Sequence, residues 1–161
     1  MREKRIAEII AVLTIVGFIC LAFLPHHQAL GEDENIFKYN EGWEYSCEGE
    51  SSQVTLPVSD TVSKNAVVTL TNTIPEEKFN DNGIMFRTRM QSAEVYVDGE
   101  LIYTYPSEKL IGDVLPSTWN FIHLPEDSSG KEIQITVQSP YVSFSGLMSE
   151  VMYGNYNELI S

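Results

Sequence analysis

From Asn35 onward the chain is a succession of short runs in which apolar and polar residues alternate or β-formers dominate. The runs are WEYSCE (43–48), QVTLP (53–57), AVVTLTNTI (66–74), IMFRTRM (84–90), AEVYV (93–97), ELIYTY (100–105), WNFIHL (119–124), EIQITVQS (132–139) and EVMYG (150–154). A period of two is the signature of a strand with one buried face. The segments between them, SDTVSKN, PEEKFNDNG, PSEKLIGDVLPS, PEDSSGK and PYVSFSG, hold the Gly, Pro, Asn, Asp and Ser that interrupt strands. No 3.6-residue apolar stripe follows residue 24, and there is no internal repeat or low-complexity tract. Nine short strands at this spacing predict an all-β antiparallel sandwich of the jelly-roll kind. The long, uneven loops argue against a closed barrel.

The most regular stretch is AEVYVDGELIYTYP (93–106). Asp98-Gly99 suits a two-residue turn with positive φ at both positions, whose twist matches two flanking strands. That turn sets Val97 opposite Glu100, Tyr96 opposite Leu101 and Val95 opposite Ile102. Strict alternation then puts Val95, Val97, Ile102 and Thr104 on the core face. Glu94, Tyr96, Leu101, Tyr103 and Tyr105 fall on the other, a tyrosine-rich face either covered by loop 106–118 or left open.

The N-terminal pattern differs. Residues 6–24, IAEIIAVLTIVGFICLAFL, form an apolar run of 19 with Glu8 its one charge. About 20 apolar residues span a bilayer as a helix. MREKR precedes the run and GEDEN follows it, so the positive-inside rule keeps residues 1–5 cytoplasmic and exports the rest. A cleavable signal peptide competes with this reading, but its apolar core is usually ~7–15 residues and ends at a small-x-small site. The uncharged stretch here runs from Ile9 to Leu24, with no such site after it. Bulky Phe18 and Ile19 before Cys20 do not fit a lipid-attachment site. The expected organisation is a cytoplasmic N-terminus (1–5), a transmembrane signal anchor (6–24), a linker (25–35) and an extracytoplasmic β-sandwich domain (36–161), in a single-pass protein of the cell membrane.

Charge and cysteine narrow the partners. Past Gly31 there are 21 acids against 7 bases, a net of −14, within a chain of 161 residues and net charge −13. A field of that sign opposes nucleic acid and keeps an exported domain soluble. Cys47 is the one cysteine outside the membrane run, so the exported part can form no internal disulfide. There is also no Asn-x-Ser/Thr sequon. This combination fits a bacterial surface better than a eukaryotic secretory pathway.

GIMFRTRMQSAEVYVDGELIYTYP resembles the central strands of the sugar-binding domain of family-two glycoside hydrolases and other galactose-binding-like jelly rolls. The hairpin pattern is carried by Val95, Val97, Asp98, Gly99 and Glu100, and LPEDSSGKEIQITVQSPY (124–141) is similar to the closing strand pattern of those domains. From about residue 36 the chain also resembles the N-terminal sensor region of Firmicutes membrane-bound signalling proteins of the diguanylate cyclase or histidine kinase type. EGWEYSCEGE, VTLTNTIPEE, STWNFIHLPEDSSGKEIQITVQSPY and EVMYGNYNELI carry that likeness. It implies an extracytoplasmic ligand-sensing domain, carbohydrate-binding in one version, without the output module these proteins carry. The alternatives are a non-sensing module that sets dimer geometry, with a homodimer as partner, and the accessory sugar-binding domain of a truncated glycoside hydrolase.

No catalytic residue is expected. His26 and His27 are adjacent, a poor arrangement for ligating one ion. His123 lies in a strand with no nucleophile motif nearby, as an edge or core histidine would. FNDNG (79–83) offers Asp81 and two Asn carbonyls as oxygen donors for calcium, but a plain Asn/Asp/Gly turn uses the same residues. No metal or cofactor is therefore expected.

Candidate ligand-binding chemistry rests on Arg87, Arg89, Tyr105 and Trp119. Arg87 and Arg89 share one face of a strand and offer guanidinium forks to a carboxylate or a set of sugar hydroxyls. Aromatic faces stack on the C–H side of a pyranose, and the same residues equally fill the space between two sheets. The partners expected are thus the membrane, through the N-terminal helix, and a glycan or other small extracellular ligand.

Overall fold

A computed structural model describes residues 35–106 and 114–161. The transmembrane segment 6–24, its linker through Glu34 and most of loop 106–118 lie outside the described residues. Among the described residues, no helix is long and apolar enough to cross a membrane. A compact unit spans Glu34–Ser161.

Among the described residues, twelve strands run in chain order: β1 Ile36–Lys38, β2 Trp43–Cys47, β3 Glu50–Val54, β4 Val58–Asp60, β5 Val67–Thr73, β6 Asn82–Thr88, β7 Ser92–Val97, β8 Glu100–Tyr105, β9 Thr118–His123, β10 Glu132–Gln138, β11 Gly146–Met148 and β12 Val151–Asn155. They build a four-stranded sheet in the order β1-β12-β6-β9 and a six-stranded sheet in the order β3-β2-β5-β10-β7-β8. A small ribbon pairs β11 with β4. Every pairing is antiparallel. The two helices among the described residues, Val142–Ser145 and Tyr156–Leu159, have four residues each and are too short to carry an apolar stripe.

The core lies between the two larger sheets. The six-stranded sheet contributes Trp43, Val68, Leu70, Ala93, Val95, Ile133 and Ile135; the four-stranded sheet contributes Ile84, Phe86, Ile122, Val151 and Tyr153. These residues alternate along their strands with exposed or half-buried neighbours, as a two-layer sandwich requires. Trp43 is fully buried, and its indole N–H donates to the Tyr39 carbonyl at 2.8 Å. That bond satisfies the one polar atom its burial would otherwise strand.

The nine expected strands all form, with shifted ends. QVTLP is the largest displacement: the strand there is Glu50–Val54, polar and mostly exposed. It is reached from β2 through Glu48-Gly49, both at positive φ (50° and 88°), a second two-residue hairpin turn. Strands β1, β4 and β11 were not expected. Each has three residues and pairs with a distant segment, leaving too little length for a period to register.

The Asp98-Gly99 turn forms as expected, with φ of 48° and 78°. Val97 pairs with Glu100 and Tyr96 with Leu101, but Val95 then pairs with Tyr103 instead of Ile102. The extra residue is a β-bulge, and every side chain after it changes face relative to strict alternation. The expected tyrosine face is therefore corrected. Tyr96 stays outside, donating to Glu94, while Tyr103 and Tyr105 pack with Ile102 against the core.

Candidate functional site

The outer surface of the four-stranded sheet carries a groove of about 460 Å³. Its floor and one wall come from β6 and β9. Met85, Arg87 and Arg89 alternate with buried Phe86 and Thr88, so all three point outward. Arg87 pairs in register with Trp119 on β9. The Arg87 guanidinium carbon lies 5.8 Å from the centre of the Trp119 ring, a cation–π stack. Trp119 nevertheless keeps 52% of its surface exposed. Met152 on β12 stands beside Met85. Pro57 and the segment Leu147–Glu150 close the opposite wall.

Trp119 faces outward because its neighbour Asn120 faces inward. Asn120 is fully buried yet satisfied: it accepts from the Tyr103 hydroxyl at 3.0 Å and donates to the Phe86 carbonyl at 3.3 Å and to Thr88 Oγ1 at 3.2 Å. Those bonds offset the desolvation of the amide and set the register that turns the indole outward.

Three further polar residues hold the wall to the floor. Gln91 is almost fully buried; its Nε2 donates to the Phe144 and Leu147 carbonyls at 2.8 and 2.7 Å, and its Oε1 accepts from the Arg89 N–H at 3.0 Å. One amide thus ties the backbone of Arg89 to the segment that leads into β11. Ser149 Oγ accepts from the Arg87 N–H at 2.9 Å and donates to the Glu150 carbonyl at 3.1 Å. Glu150 Oε1 accepts from Lys38 Nζ at 2.8 Å and from Asn40 Nδ2 at 3.5 Å. The hydrogen bond from Lys38, aided by its charge, holds the Glu150 carboxyl below the usual range. Gln91, Ser149 and Glu150 carry no motif, and their roles depend on contacts 50 or more positions away for Gln91 and Ser149. Only the pairing brings them to the groove.

Of the four expected ligand-binding residues, the structure brings Arg87, Arg89 and Trp119 together. Tyr105 stands apart. It ends β8 in the six-stranded sheet, packs toward the core, and donates to the Pro116 carbonyl at 3.4 Å. Its separation from the groove follows from the topology: β8 lies in the six-stranded sheet, whereas the groove is on the outer face of the other layer.

His123 lies on the exposed end of β9 against Asp81 and meets Tyr156 edge-on at 5.2 Å. Asp81 also accepts from Asn157 Nδ2 at 2.8 Å, and Asn82 Oδ1 accepts from the Phe79 N–H at 2.8 Å. In FNDNG these side-chain oxygens thus close the loop back onto Phe79 and dock the Tyr156–Leu159 helix. Among the described residues, no group of three or more His, Cys, Asp or Glu is placed to hold a metal.

No family model matches the sequence, and no curated protein does. Among solved structures, the chain is similar to the β-glucosidase from Kluyveromyces marxianus in complex with glucose, at 18% identity and a TM-score of 0.36. That alignment covers 70% of this chain and 15% of the enzyme. The selenomethionine-labelled form of the same enzyme aligns at 19% identity and a TM-score of 0.37, over 70% of this chain and 16% of that one. The chain thus spans about one sixth of the enzyme's length or less.

Proposed function

We propose that this chain is an extracytoplasmic ligand-recognition domain, of galactose-binding-like jelly-roll topology, in a membrane-anchored bacterial signalling protein. The observation that carries the proposal is the groove in which Arg87, Arg89 and an exposed Trp119 converge. Recognition sites combine an apolar or aromatic surface with a few directed polar groups, and this groove has both. The indole offers a face to an apolar C–H surface, such as that of a pyranose, and the guanidiniums offer fixed donors. Residues 6–24 serve as the anchor, with the charge contrast between MREKR and GEDEN orienting it.

Two measurements test the proposal. Protease treatment of intact cells should cleave within residues 36–161; a domain protected from external protease and recovered in the cytosol would reject the topology. A panel of neutral and acidic sugars should change the fluorescence of Trp119, since Trp43 is fully buried and Trp119 is half exposed. If no small ligand changes that emission, a structural, dimer-forming module becomes the better reading.

A further inference from the structure

We infer that the group recognised in the groove is a carboxylate, borne by a ligand with one apolar face. The inference rests on the recognition role proposed for the same site, and specifies what that site selects.

Charge is the first ground. The domain past Gly31 holds 21 acids and 7 bases. Among the described residues, neither Arg87 nor Arg89 forms an ion pair with any of those acids. The carboxylate that shares their groove, Glu150, is instead tied to Lys38 and Asn40 on the far side of the wall. The α-carbons of two residues two positions apart on one strand face lie about 7 Å apart. Each guanidinium presents a planar fork of N–H donors that matches a carboxylate in a bidentate pair. Within an acidic surface, two guanidiniums free of ion pairs make a local positive spot where an anionic group is favoured.

The rest of the lining is the second ground. Met85, Met152, Leu147 and Pro57 supply thioether and hydrocarbon surface, and Trp119 adds an indole. Such a surface accepts few hydrogen bonds and gains by covering C–H groups. The ligand that satisfies both halves places its carboxylate at Arg87 and Arg89 and its apolar face on Trp119 and the methionines. A hexuronic acid has this chemistry, and so does a small aryl or alkyl carboxylic acid.

The test uses the full chain and matched pairs of probes: glucuronate with glucose, and phenylacetate with phenylacetamide. Trp119 emission is followed at low and at physiological salt. In at least one pair the acid should bind roughly tenfold or more tighter than its neutral partner, the effect of one charge-assisted hydrogen bond. The pair in which this happens identifies the source of the carboxylate. Arg87→Gln and Arg89→Gln should each remove most of the difference, and Arg87→Lys, which keeps the charge and loses the fork, should restore only part of it. These side chains are exposed, so the variants should fold as the parent does; an unchanged thermal midpoint verifies this. If neutral and acidic partners bind equally in both pairs, or if both glutamine variants keep the acid preference, the carboxylate inference is overturned while the recognition role survives. If no probe changes Trp119 emission, both fall together.

Discussion

Asn120 shares the inward face of β9 with Ile122 and the following Leu124. Taken as a pair, Trp119 would be buried and Asn120 exposed; the structure does the reverse, since that face buries Ile122 and Leu124 and Asn120 finds partners on both sheets. The exchange costs an aromatic side chain from the core and returns a satisfied polar bridge between layers. Asn120→Ala should leave the half-buried Tyr103 hydroxyl without its acceptor and lower stability by about 1–3 kcal/mol in urea unfolding. The same variant should lower the fraction of Trp119 reached by an aqueous quencher, as β9 loses what holds its register. Unchanged stability and quenching would mean that the bridge does not set the face.

At the scale of elements, two glycines act by different physics. Gly99 sits at φ 78° in the hairpin turn with nothing near the position a Cβ would take. Gly99→Val should therefore cost about 1 kcal/mol or more through backbone conformation alone, with the sheets otherwise intact. Gly154 lies in β12 against β1, and a Cβ there would overlap the Asn35 carbonyl and the Ile36 backbone. Gly154→Ala should cost about 1–3 kcal/mol by overpacking. The two are separated by amide exchange: protection of Ile36–Lys38 should fall in Gly154→Ala and persist in Gly99→Val. Equal loss in both would show that β1 is coupled to the hairpin, against the sheet order. The bulge at Ile102 belongs to this scale too, since one inserted residue sends Tyr103 to Asn120 and turns Tyr105 toward the core.

Across the whole molecule, tyrosines bridge core and solvent. Burial raises the hydroxyls of Tyr39, Tyr103 and Tyr153, and lifts Tyr45 from 10.0 to about 12. A folded pKa above the unfolded one favours the neutral, folded form. The contribution is complete below pH 10 and is lost as pH rises through about 12. Alkaline titration should accordingly show tyrosinate absorbance from these residues rising together with the loss of the near-ultraviolet circular dichroism signal. Full ionisation of all tyrosines near pH 10 with that signal intact would contradict their burial.

What the sequence by itself determined is what local chemistry can determine. Alternation over five to seven residues is enough to place β2, β5, β7 and β10, and Asp98-Gly99 is enough to place a turn, because each depends on residues within one strand or one loop. The shared face of Arg87 and Arg89 follows from the same period of two. Three-residue strands and the displaced β3 escaped it, since their pairing partners, not their own pattern, make them strands. The groove was only half legible for the same reason. Whether Trp119 fills the core or faces solvent depends on the other face of β9, where Asn120 meets Tyr103 from the other sheet and Ile122 is buried. Whether Tyr105 joins Arg87 depends on which sheet β8 enters, and it enters the layer opposite the groove. The opposite wall exists because Gln91 and Ser149 tie residues 144–150 to β6, a contact between segments more than 50 positions apart. Period and turn chemistry act within a strand's length, whereas the outward face of a sheet is settled only when two layers compete to bury the other one.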